Sequence, residues 1–82
     1  MTEDELAFML EGAMRGGRAL HEEATMAVMF GVGYAEHLTD ENVSDVASRA
    51  SASAHIANIN FGRKLAQYVC VKDWPHGFHS QP

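Results

Sequence analysis

The sequence predicts an all-α protein: a long antiparallel helical hairpin that dimerises into a four-helix bundle. Three observations predict it. Small and apolar residues recur at alternating steps of four and three from Leu6 through Leu10, Ala13, Gly17, Leu20, Ala24, Ala27, Gly31 and Tyr34 to Leu38, without a slip in phase. A second such run goes from Val43 through Ala47, Ala50, Ala54, Ala57, Phe61 and Lys64 to Tyr68. That spacing keeps side chains on one stripe of an α-helix. Between the runs stands one short polar segment, Thr39-Asp40-Glu41-Asn42, and long helices joined by a short turn lie antiparallel.

The first helix is expected over residues 3–38. Thr2, followed at three residues by Glu5, forms a capping box, and Glu3, Asp4 and Glu5 suit the positive end of the helix dipole. Gly16-Gly17 is its weak point, since each glycine costs roughly 1 kcal/mol relative to alanine in a helix interior. Either the chain breaks there into three helices, or the helix continues because something packs closely on the glycines; the unbroken phase favours continuity. Met26, Met29, Phe30 and Val32 lie off the main stripe. A helix apolar on more than one side is central in a bundle or bound to something else.

The turn falls at 38–41, with Thr39 or Asp40 as N-cap of a second helix over 41–72. Asp73-Trp74-Pro75 ends that helix, because the residue before proline is pushed out of the α region. The hairpin domain is therefore 1–75 and the tail 76–82. Matching the seams about the turn sets Gly31 and Ala27 against Ala47, Ala50 and Ala54, Phe61 near Leu20 and Gly17, and Tyr68 near Leu10 and Ala13. Stripes on the backs of both helices have no partner within a hairpin: Met26, Met29 and Gly33 on the first, and Ala52, Ile56, Ile59, Ala66 and Cys70 on the second, with Arg63 filling one step. A second copy would cover them, and burying one such Met or Ile contributes roughly 1.5–3 kcal/mol.

Eighty-two residues make one small domain with a modest core. The net charge is −5, and the six Lys and Arg residues look dispersed, whereas phosphate binding needs them clustered. Nucleic acid is thus not expected as a partner, nor an anionic membrane surface. No apolar run is long enough to span a bilayer, and the chain does not open with a basic segment followed by an apolar one; a cytoplasmic protein is expected. The lone Cys70 leaves no internal disulfide.

Catalytic constellations are wanting. His21, Glu22 and Glu23 with His55 make a weak candidate for a metal site, but bundle di-metal sites need inward Glu and Glu-x-x-His sets, and no Asp or Glu stands between Asp45 and Asp73. No serine sits in a nucleophile elbow, and Gly31-Val32-Gly33 lies inside the helical phase with no preceding strand. Neither enzyme activity nor a cofactor is expected. The surplus apolar stripes point to a protein-binding regulator, adaptor or stoichiometric inhibitor of an accessory or phage type. Its partner or dimer interface would be Met26, Met29, Phe30, Gly33, Ile56 and Ile59, with Trp74 and Phe78 of the C-terminal end as anchors. The alternative is a bundle that sequesters a small ligand or metal between subunits, using His21 and His55 and the gap left by Gly31 and Gly33.

Overall fold

The computed structural model describes residues 1–71; Trp74, Phe78 and the tail 76–82 lie outside the described residues. The described chain is all-α. Its helices are α1 (Glu3–Leu20), α2 (Glu23–Gly33), α3 (Val43–Arg49) and α4 (Ile56–Leu65), with single 3-10 turns at Ala35–His37 and Ser53–His55. Each of the two long helices expected from the heptad phase is thus divided in two.

The capping box starts α1 as expected. The Glu5 N–H donates to Thr2 Oγ1 at 3.1 Å, and the Thr2 N–H donates to Glu5 Oε1 at 2.7 Å. The helix runs straight through Gly16 and Gly17, so the break is not there. It comes at His21, whose φ of 58° lies in the left-handed region. The Glu22 N–H donates to the Gly17 carbonyl at 2.7 Å and the His21 N–H to that of Arg18 at 3.2 Å. This pair of bonds is a Schellman turn, which satisfies the last carbonyls of a helix and stops it. Gly17 is buried because the chain folds back over it: a Cβ there would sit 2.8 Å from the Glu23 Cα. Phe61, expected at Gly17, is instead exposed.

The same device recurs at the end of α3. Ser51 has φ 55°, the Ala52 N–H donates to the Ala47 carbonyl at 2.7 Å, and the Ser51 N–H donates to that of Ser48 at 3.1 Å. Between α2 and α3, Thr39 and Asn42 cap each other reciprocally: the Thr39 N–H donates to Asn42 Oδ1 at 2.9 Å and the Asn42 N–H to Thr39 Oγ1 at 3.0 Å. The N-cap of α3 is Asn42, not Thr39 or Asp40 as expected; Thr39 instead braces the turn that precedes it.

The Ser51 turn changes which side of the chain faces inward. Val43, Ala47 and Ala50 of the expected seam are buried, but Ala54, Ala57, Phe61, Lys64 and Tyr68, which continue it, are exposed. Ala52 and Ile59 of the expected back stripe enter the core instead. The core gathers Leu6, Leu10 and Met14 of α1, Met26, Ala27 and Phe30 of α2, and Val43, Val46 and Ala47 of α3 around them. Met29 and Ile56 pack against its edge. The side chains assigned to a second copy are thus largely covered within one chain, and the four helices of the bundle come from one chain.

Helix α2 is the central element, with α1 and α4 both packed on it and scarcely touching each other. It crosses α4 at Gly31 and Gly62, where a Cβ on Gly31 would overlap the Ile59 carbonyl oxygen and one on Gly62 the carbonyl oxygen of Val28. Close packing at Gly31 was expected, but against the alanines of residues 47–54. Among the described residues, no helix is long and apolar enough to cross a membrane.

Candidate functional site

The residues proposed from sequence do not converge on a single surface. Met26, Phe30 and Ile59 are core, with exposures of 4, 0 and 0%. Met29 and Ile56 are half-buried, and Gly33 is exposed at the end of α2. Of the weak metal candidates, His21 and Glu22 lie exposed in the first Schellman turn, while the His55 ring is 3.2 Å from the Asn58 amide nitrogen. Among the described residues, no three His, Cys, Asp or Glu side chains gather as a metal would need. Tyr34, its ring tilted against that of Phe30 at a centroid distance of 5.0 Å, has its hydroxyl pKa raised by burial.

What does stand out is the unit formed by α3, the Ser51 turn and α4. A seven-residue helix and a sharp turn lead into a second helix with an exposed outer face. Along α4 that face carries Ala57, Phe61 and Lys64, spaced by four and three, with Ser53 and Ala54 before them and Gln67 and Tyr68 after. Phe61 is 54% exposed, less than Phe8 on α1 at 64%.

Two arginines fix this unit in place. Arg63 donates to Asp40 Oδ1 at 3.0 Å, to Asn60 Oδ1 at 2.9 Å and to the Leu38 carbonyl at 3.5 Å, which ties α4 to the loop before α3. Arg49, at the end of α3, pairs with Glu3 at 3.3 Å and with Asp4, tethering α3 to the start of α1. The hydrogen bond and charge of Asp4 raise the Arg49 pKa further. Lys64 makes no ion pair among the described residues and stays available on the exposed face.

The electrostatics of the two halves differ in sign. Residues 1–45 hold ten acidic and two basic side chains. Residues 46–72 hold Arg49, Arg63, Lys64 and Lys72 and no acidic side chain at all. The acid-rich α1 is separated from α4 by α2. Helix layers are roughly 8–10 Å apart, so two layers exceed the Debye length of about 8 Å at physiological salt. A ligand on α4 is therefore largely screened from the carboxylates of α1, while the exposed Asp40 carboxylate, paired with Arg63, stands beside Lys64 at the edge of α4. Counting cations over the whole chain concealed this partition; counting them by segment reveals it.

No curated protein and no solved structure matches this chain. A family model does, over residues 2–72, and its description is an HTH-like domain. That match overturns two expectations: a protein-binding regulator, adaptor or inhibitor built as a coiled-coil homodimer, and the exclusion of nucleic acid as a partner. Both had rested on whole-chain charge and on apolar stripes that the fold buries internally. The match spans the helices, the Ser51 turn and the exposed α4 face alike, and the chain belongs to the HTH-like domain family.

Proposed function

We propose that this chain is a DNA-binding helix-turn-helix domain in which α4 is the helix presented to the major groove and α3 lies across its edge. The observation that carries the proposal is the exposed face of α4, a helix that itself bears no carboxylate; the one that reaches it, Asp40, is paired with Arg63 at its margin. A helix with side chains is about 10–12 Å across, and the major groove is about 12 Å wide, so α4 is of a size to enter it. Helix-turn-helix proteins dock in this way, the second helix in the groove and the first crossing the backbone. Lys64 would bind phosphate, while Arg63, held by Asp40 and Asn60, chiefly positions α4. The domain acts by binding rather than catalysis, in the cytoplasm.

Few free cations imply modest affinity. Non-specific duplex binding typically has Kd values of about 10⁻⁴–10⁻⁶ M at physiological salt, and each neutralised phosphate adds a slope of about −0.9 in log K against log salt. With Lys64 as the phosphate contact the slope would be roughly −1. Fluorescence anisotropy with a labelled 20-base-pair duplex, titrated from low to physiological salt, tests this. Lys64→Glu should weaken binding and reduce the slope. If no duplex binds even at low salt, the proposal fails.

A further inference from the structure

We infer that the α4 face discriminates in favour of thymine, through apolar contact of Ala57 and Phe61 with the 5-methyl groups in the major groove. The inference rests on the DNA-binding reading and specifies what that face recognises.

Side chains read base edges in two main ways, by paired hydrogen bonds and by apolar contact with the thymine methyl. The paired route to adenine needs both the oxygen and the nitrogen of an Asn or Gln amide. On α4 the two asparagines are already engaged. Asn60 Oδ1 accepts from Arg63, and the Asn58 amide nitrogen is 3.2 Å from His55 Nδ1. Both are only half-exposed. Ahead of Lys64 the outer face is apolar, with the methyls of Ala54 and Ala57 and the ring of Phe61 uncovered by any core residue, while the exposed Gln67 amide stands beyond the end of α4 at Leu65. Lys64, one turn further along, supplies the complementary charge for the adjoining phosphate.

The spacing suits successive contacts. Ala57 and Phe61 are four residues apart, about 6 Å along the helix axis. Base pairs stack at about 3.4 Å, so the two side chains would meet methyls about two steps apart when α4 lies along the groove.

The experiment compares three duplexes of equal length at one salt concentration: an A·T-rich duplex, the same duplex with deoxyuridine for thymidine, and a G·C-rich duplex. Deoxyuridine removes only the methyl groups. The intact protein should bind the thymine duplex more tightly than the uracil duplex, by about four-fold per methyl contacted. Phe61→Ala should reduce that preference, whereas Lys64→Glu should weaken both duplexes alike and preserve it. Circular dichroism confirms that each variant is folded, and the thymine-to-uracil comparison on the intact protein needs no variant. Equal binding of the thymine and uracil duplexes overturns the inference but leaves DNA binding standing. Absence of binding to all three removes both. If Phe61→Ala dissolves a self-associated species and leaves the thymine preference intact, Phe61 belongs to a protein contact and the inference is overturned.

Discussion

Gly31 and Gly62 bring the backbones of α2 and α4 into direct contact, each standing where a Cβ would overlap a carbonyl oxygen of the other helix. Those neighbours are main-chain atoms and cannot rotate aside as a side chain does. Gly31→Ala and Gly62→Ala should each force the helices apart and cost roughly 1–3 kcal/mol or more, as overpacking does. Chemical denaturation of each variant measures this. Wild-type stability in either would show that the crossing is looser than described.

The two Schellman turns predict the opposite sign. His21 and Ser51 hold positive φ, which costs an L-residue with a Cβ roughly 1–2 kcal/mol, whereas glycine adopts it freely. Part of that gain is offset by glycine's larger entropy loss on folding. His21→Gly and Ser51→Gly should therefore each stabilise the domain, by roughly 0.5–1 kcal/mol. A lowered melting temperature in both would contradict the turn geometry.

Adjacent glycines in α1 should behave differently. A Cβ on Gly16 meets nothing within 4 Å, so Gly16→Ala should be neutral or stabilise by up to about 1 kcal/mol through helix propensity. At Gly17 the backbone of Glu22 and Glu23 is in the way, so Gly17→Ala should destabilise by roughly 1–3 kcal/mol. Thermal melts of the two single variants decide it, and equal effects would rule out the asymmetry.

The capping box carries a pH signature. The Thr2 backbone N–H, and then its hydroxyl, hold the Glu5 carboxyl below its ordinary pKa. A carboxylate with a depressed folded pKa binds its proton more readily in the unfolded chain. Its stabilising contribution is therefore complete above the ordinary glutamate pKa of about 4.3 and is lost as pH falls through the lower folded value. Glu5 is fully exposed, so the effect is small. Stability of Glu5→Gln relative to wild type, measured at neutral pH and again below pH 4, should show the gap narrowing in acid; a constant gap would deny the carboxylate its role.

Much of the architecture was legible because local chemistry and packing agreed. Thr2 with Glu5 announced the start of α1, and the stripe from Leu6 to Gly17 is buried as its phase required; the double-sided apolar character of residues 26–32 fitted either a central helix or an outer interface, and Met26 and Phe30 are core. The two helix breaks were not legible, because the left-handed positions that make them are usually glycine and here are His21 and Ser51. Across each break the heptad phase continued by coincidence of spacing. It is exposed at Leu20 and Ala24 around the first, and from Ala54 to Tyr68 after the second. The site was missed for a related reason. Phe61 and Lys64 keep the heptad phase of a long helix seam, and nothing in the sequence marks the face they form as surface.

The glycine crossing also separates what holds α4 from what α4 displays. Its position is set by main-chain contact at Gly31 and Gly62, by Ile59 in the core and by the Arg63 tether, all on the inward side or at its margin. Ala57, Phe61 and Lys64 contribute little to that anchoring. Substitutions at those three positions are expected to alter stability by no more than about 0.5 kcal/mol, as surface changes generally do. The outer face of α4 is in this sense an interchangeable legend on a fixed plate: drift at a few surface codons would retune the recognition proposed for it while the fold that presents it stays intact.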